Sequence, residues 1–218
     1  MGEEKQNERM KKNRRDTKDF MRSKGKGATT ARVHRAILPK REKAVVSPEH
    51  SIYLTVNGQP YELQIGSQRA QVEPCHTLAY TLRETLGLTG TKVGCNHGAC
   101  GSCTVLIDGK PVLSCMTLTV ELDGKSITTI EGLQDPKTWE LDPLQQAFID
   151  HTAFQCGFCT PGMIMSAKAL LDENPSPTEK EVKEALAGNF CRCISHYHVL
   201  DAVMAAAERR SNRNGKRV

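Results

Sequence analysis

No stretch of this chain approaches the roughly 20 consecutive apolar residues that a bilayer-spanning helix needs. A secretory signal needs an apolar run of roughly 7–15 residues. The longest apolar runs in residues 1–50 are only Ala36-Ile37-Leu38 and Ala44-Val45-Val46. Arg14-Arg15, with Asp16 and Phe20, is weakly similar to a twin-arginine export signal, yet no apolar segment follows. The expected compartment is therefore the cytoplasm, with periplasmic export as the alternative. Aromatics are scarce, at 5% with a single Trp, and hydrophobic residues are 38%, which points to a lean core. No glycine fingerprint for a dinucleotide or phosphate is present. Nothing in the pattern resembles a catalytic acid, base or nucleophile.

What the chain has in quantity is cysteine, nine in 218 residues. An odd number cannot pair fully as intramolecular disulfides. Cytosolic proteins keep thiols reduced for metals or chemistry. Charge is uneven: residues 1–50 hold 15 Lys/Arg against 7 Asp/Glu, and the rest of the chain 15 against 18. The basicity therefore belongs to the extension. Residues 1–48 are polar and aperiodic, and are expected to be disordered. They read as a solvated tail, with partner or nucleic-acid docking as the weaker alternative.

From residue 49 the pattern becomes ordered. Ile52, Leu54 and Val56 alternate, Asn57-Gly58 signals a hairpin, and Tyr61, Leu63 and Ile65 alternate again. Leu78, Leu82 and Leu86 follow at helical spacing, closed by Gly87. Asp108-Gly109 marks a second hairpin, and a last strand is expected near Ser126–Ile130. Together these elements predict a small α+β domain over residues 49–130. Residues 131–142 read as a linker. Four short amphipathic helices are then expected over residues 143–210, an all-α domain. The first opens at Asp142-Pro143 and the second after Thr160-Pro161. The third opens at Ser176-Pro177-Thr178-Glu179, read as a capping box with proline at its first position. The fourth carries Val199, Leu200, Val203, Met204 and Ala207, and residues 211–218 form a tail. Met163 and Met165 are read as core filler rather than ligands.

Cys95, Cys100, Cys103 and Cys115 have the spacing C-x4-C-x2-C-x11-C. The first three match the plant-type 2Fe–2S ferredoxin run. Gly90, Gly94, Gly98 and Gly101 fall in the same loop, where amides must approach an anionic cluster. Zinc favours paired C-x2-C knuckles instead, so iron–sulfur is the better reading. His97 is taken as a loop residue, because four thiolates already suffice.

Cys156, Cys159, Cys191 and Cys193 have the spacing C-x2-C-x31-C-x1-C, one pair at each of two helix junctions. Alone, this pattern leaves zinc and 2Fe–2S open. Its place beside a ferredoxin-type module favours iron.

Gln155-Cys156-Gly157-Phe158-Cys159-Thr160-Pro161-Gly162 and Gly188-Asn189-Phe190-Cys191-Arg192-Cys193 resemble the small subunit of the molybdenum hydroxylase (xanthine oxidase/aldehyde oxidoreductase) family. Gly101-Ser102-Cys103-Thr104-Val105-Leu106-Ile107-Asp108-Gly109 matches as well. The resemblance covers about residues 50–208. It implies a β-grasp ferredoxin-like domain followed by a four-helix-bundle domain, each with a 2Fe–2S cluster. It also implies a large partner subunit carrying a molybdenum–pterin cofactor. Electrons would pass through both clusters to FAD on a third subunit or to an external acceptor. Gln155 and Cys193 would lie against the pterin of the partner. Arg192 would either tune the second cluster or face solvent.

Many relatives follow Cys-Arg-Cys with Thr-Gly-Tyr, whereas this chain has Ile194-Ser195-His196-Tyr197-His198. His196 and His198 read as surface residues opening a helix. Cys75 lies outside both sets and is expected to be a small buried hydrophobe. Two other functions remain open at this level. One is a freely diffusing two-cluster carrier. The other is a zinc-stabilised nucleic-acid adaptor.

Overall fold

The structure is a computed structural model that describes residues 50–68 and 71–215. The basic extension therefore lies outside the described residues, as do residues 216–218. Among the described residues the chain is α+β: a five-stranded sheet leads into a helical region.

Strands β1 (Ser51–Val56) and β2 (Gln59–Gln64) pair antiparallel across Asn57-Gly58, both with positive φ. That is the type I′ geometry the dipeptide favours. Strands β3 (Thr104–Ile107) and β4 (Lys110–Leu113) repeat the device at Asp108-Gly109. Strand β5 (Ser126–Thr128) lies between them, parallel to β1 and antiparallel to β3, so the order is β2-β1-β5-β3-β4. One face of this sheet buries Ile52, Leu54, Val56, Val105, Ile107 and Ile127 against Leu78 and Leu82.

Leu78 and Leu82 sit on a segment that departs from a regular helix. Helix α1 (Leu78–Tyr80) is capped by the Thr77 side chain and continues as a π-turn over Thr81–Thr85. Its closing bond runs from Leu86 N to Thr81 O. The wider turn keeps both leucines fully buried while Leu86 is only partly so. Gly87 then ends it at φ +71°.

The last strand is shorter than expected, because Ile130–Leu133 turns into a 3₁₀ segment that packs toward the helices. Helix α2 (Pro143–Asp150) opens with a capping box between Asp142 and Gln145. Helix α3 (Thr160–Glu173) follows, then α4 (Glu179–Leu186) and α5 (His196–Gly215). The cap of α4 is Thr178, paired with Glu181, rather than Ser176. Pro177 therefore precedes the helix instead of occupying its first position. Helix α5 runs through Gly215, past the expected start of a tail.

The four helices share a core of Leu144, Phe148, Met163, Leu171, Val182, Val199 and Val203. Met165 is also buried, packed with Ala169 against Leu106 of β3. This contact explains why β3 is buried at every position: α1 covers one face of the strand and α3 the other.

Candidate metal centres

All nine cysteines are free thiols, and eight of them fall into two groups. The loop leading to the first group is fixed before Cys95 is reached. Arg83 Nη1 donates to the carbonyls of Thr89 and Thr91 at 2.9 and 2.8 Å. Gly90 N donates to Glu131 Oε1 at 2.7 Å.

Within this loop, Cys95 Sγ accepts from the amide of Ala99 at 3.3 Å. The Cys95 thiol is lowered to about 6, chiefly because the His97 amide donates to it, and its side-chain partner is Cys100. Cys103 behaves oppositely: burial raises it to about 11, and its partner is Cys115, in the turn after β4. Cys103 is 2% exposed and Cys115 4%. The group therefore has an outer pair, Cys95/Cys100, and an inner pair, Cys103/Cys115. His97 is exposed, with Nδ1 2.6 Å from the Cys95 carbonyl, a loop contact.

The second group has the same logic on a different scaffold. Cys156 and Cys159 lie between α2 and α3, and Cys191 and Cys193 lie between α4 and α5. Cys156 and Cys193 are exposed, with their Sγ atoms 3.5 Å apart, and the Cys156 thiol holds that of Cys193 above its ordinary range. Cys159 is buried, pushed up to about 12 by loss of solvent, and its thiol meets Cys191. At Cys191 burial opposes ionisation, but the Ile194 amide, the Cys159 thiol and the Cys193 amide outweigh it and lower the thiol. The two amides lie 3.3 Å from Cys191 Sγ.

Eight thiols in four pairs suit binuclear centres, in which each metal takes two thiolates. A tetrahedral zinc knuckle would gather four donors round one ion. The donor chemistry therefore fits two 2Fe–2S clusters. Thr160 Oγ1, beside Cys159, is buried with no partner among the described groups.

The segments that carry the two groups touch through one backbone and one side-chain hydrogen bond. Phe190 N donates to the Cys100 carbonyl at 3.0 Å, and Asn189 Nδ2 donates to the Gly101 carbonyl at 3.0 Å. Glycine is required on both sides. Gly101 sits at φ +72°, and a Cβ there would overlap the Gly188 carbonyl. A Cβ on Gly162 would overlap the Gly101 carbonyl.

Gln155 is exposed next to Cys156, and Arg192, His196 and His198 are also exposed. Phe158, Phe190 and Tyr197, neighbours in sequence of these cysteines, are 45%, 65% and 75% exposed. Cys75 corrects its expectation. It is exposed rather than buried, because it lies in the tight turn from Glu73 to His76, and its thiol donates to Glu73 Oε2 at 3.6 Å. Sequence reasoning singled out neither Arg83 nor Asn189. Asn189 was visible only inside the Gly188-Asn189-Phe190 motif, and no spacing pattern marks Arg83.

Comparison with known families gives two matches: a 2Fe–2S iron–sulfur cluster binding domain over residues 59–149 and a 2Fe–2S binding domain over residues 129–204. The nicotine 6-hydroxylase small subunit of Paenarthrobacter nicotinovorans is 52% identical over 144 residues, 66% of this chain and 86% of that protein. The aldehyde oxidoreductase iron–sulfur-binding subunit of Escherichia coli is 39% identical over 208 residues, 87% of each chain. The chain belongs to the family of small iron–sulfur subunits of molybdenum hydroxylases. As a molybdenum hydroxylase small subunit it is an electron-transfer component of an oxidoreductase. The fold agrees. A solved chain of quinoline 2-oxidoreductase from Pseudomonas putida 86 superposes with a TM-score of 0.67 at 48% identity, covering 74% of this chain and 96% of that one.

Proposed function

We propose that this subunit relays electrons one at a time between a molybdenum–pterin centre on a large partner and an acceptor. The acceptor is FAD on a medium subunit or an external molecule. Cys95, Cys100, Cys103 and Cys115 hold one 2Fe–2S cluster, and Cys156, Cys159, Cys191 and Cys193 hold the other. The observation that carries this reading is the division of each group into an inner and an outer thiol pair. The first cluster belongs to a β-grasp domain near residues 49–130, and the second to a four-helix bundle near residues 143–210.

When bound, the clusters supply reversible one-electron storage at potentials set by sulfur hydrogen bonds and exposure. The chain's residues do the rest. The amides of Ala99, Cys193 and Ile194 offer donors to anionic sulfur. Cys103, Cys115 and Cys159 keep water from the inner side of each site. Gln155 and Cys193, on the exposed side, are the residues assigned to the pterin of the partner. The exposed rings of Phe158 and Phe190 suit a protein-covered surface there.

Cysteines grouped as metal ligands rather than joined in disulfides suit the cytoplasm, and among the described residues no helix is long and apolar enough to cross a membrane. Anaerobic preparation followed by metal and sulfide analysis tests the proposal. About four irons and about four acid-labile sulfides per chain are expected from two such clusters. Zinc without sulfide would refute it.

A further inference from the structure

Two adjacent residues of the helical region each hold a carbonyl of the cysteine-rich loop. Asn189 Nδ2 reaches the Gly101 carbonyl and Phe190 N reaches the Cys100 carbonyl, both at 3.0 Å. Cys100 belongs to one thiol group. Phe190 is bonded directly to Cys191, which belongs to the other. A continuous path therefore runs from the Cys100 thiol through its own carbonyl, across one N–H···O hydrogen bond, and into the backbone of Cys191. Electron tunnelling decays more slowly along bonds and hydrogen bonds than across a van der Waals gap. Its rate consequently depends on that one contact staying short.

Asn189 is placed to keep it short. The residue is 3% exposed, so its amide group needs a partner, because a buried donor left unmet is destabilising. Its partner is the carbonyl directly after the one that Phe190 binds. The two bonds act on consecutive peptide units and fix both position and angle. Gly101 leaves no spare room: a Cβ there would come within 2.6 Å of Asn189 Nδ2.

We infer that Asn189 is a positioning residue for electron transfer between the two thiol groups: its bond to the Gly101 carbonyl holds the Phe190–Cys100 link at hydrogen-bonding distance. The inference rests on the electron-relay reading. One electron leaves the site that includes Cys191, which is oxidised, and enters the site that includes Cys100, which is reduced. No bond forms or breaks and no proton moves.

The test uses the full cluster-loaded chain under anaerobic conditions. Asn189→Leu keeps the approximate size and removes the donor without adding a charge. A second variant keeps Asn189 and carries phenyllactate at position 190, so that an ester oxygen replaces the Phe190 N–H. Three quantities are read: the EPR signal of each cluster, the two midpoint potentials, and the rate of internal electron exchange after a reducing light pulse. Both signals and both potentials are expected to persist, with the internal rate falling severalfold in each variant. An unchanged rate with both signals present overturns the role of Asn189. Loss of a signal in both variants reports a purely structural role and also overturns it. Wild-type chain lacking either signal overturns the electron-relay reading instead.

Discussion

The two thiol groups reach the same inner-and-outer arrangement by different routes. The first is nearly local: three of its cysteines fall between residues 95 and 103, and the amides that meet Cys95 come from His97, Cys100 and Ala99. The second is assembled from two helix junctions with 31 residues between its inner cysteines. It exists only if α2, α3, α4 and α5 pack. The first site is thus chiefly a property of a loop, held by Arg83 and Glu131 on one side and by Asn189 and Phe190 on the other. The second is a property of a hydrophobic core. The exposure differs accordingly. The local site has two cysteines nearly sealed, whereas the assembled site leaves Cys156 and Cys193 open. A loop can wrap its own contents. Helix ends meet only at a rim, so two of the four thiols stay open.

The sharpest way to break this contrast is to remove one thiol from each group. Cys103→Ser should abolish one EPR signal and Cys159→Ser the other, each lowering bound iron by about half. If either substitution removes both signals, the sites are not independent and the contrast fails. The next largest effect targets the core alone. Phe148 is 1% exposed in the helical core, and Phe148→Ala should cost about 3–5 kcal/mol. On heating, the signal assigned to the helical thiols should then disappear well before the loop signal. Simultaneous loss would mean that the helical core also supports the loop site.

How much of this was legible depended on whether the relevant physics is local. Asn57-Gly58 and Asp108-Gly109 each demand a positive-φ pair between alternating apolar residues, so both hairpins were readable. Asp142-Pro143 was equally plain, since a side-chain acceptor followed by a residue lacking N–H has one obvious use. Both thiol groups stood out by spacing, but spacing could not show which thiols pair. That depends on strand β4 bringing Cys115 to Cys103, and on α2, α3, α4 and α5 bringing the two junctions together. The π-turn at Thr81–Thr85 was invisible, because Leu78, Leu82 and Leu86 fit an ordinary helix equally well. Cys75 was misread because composition says how often thiols are buried but says nothing about the turn from Glu73 to His76. Asn189 is the instructive omission: its partner lies 88 residues away, and no local rule reaches that far.

A smaller effect tests the seam between the two regions. Gly162 and Gly188 both border it, yet only Gly162 lacks room for a methyl group. Gly162→Ala should cost about 1–3 kcal/mol by forcing α3 away from the Gly101 carbonyl. Gly188→Ala meets nothing within 4 Å and has no positive φ, so it should be neutral or stabilising by about 0.4–1 kcal/mol. Chemical denaturation of the two variants separates them. Equal behaviour would show that the close glycine contact does not constrain the seam.

The smallest effect lies furthest from any thiol, at the start of α4. Sequence pattern alone places the cap at Ser176, and the structure places it at Thr178. Its hydroxyl accepts from the Glu181 amide at 3.4 Å, while Glu181 Oε2 accepts from the Thr178 amide at 2.7 Å. That reciprocal pair lowers the Glu181 carboxyl below its usual range, because the Thr178 amide donates to it. Thr178→Ala should therefore cost about 0.5–2 kcal/mol. Ser176→Ala removes a side chain with no part in the box and should stay within about 0.5 kcal/mol of zero. Thermal unfolding of the pair decides which residue caps the helix, and a larger loss at Ser176 would restore the sequence reading. The same variants bear on the two routes. The local site meets the chain beyond α4 only at its far end, through Asn189 and Phe190, which the Thr178 cap does not touch, so its EPR signal should be the same in both proteins at room temperature. The assembled site depends on α4 through the shared core around Val182 and Leu186. Its signal should survive at room temperature and fade a few degrees earlier in Thr178→Ala, with the loop signal unmoved.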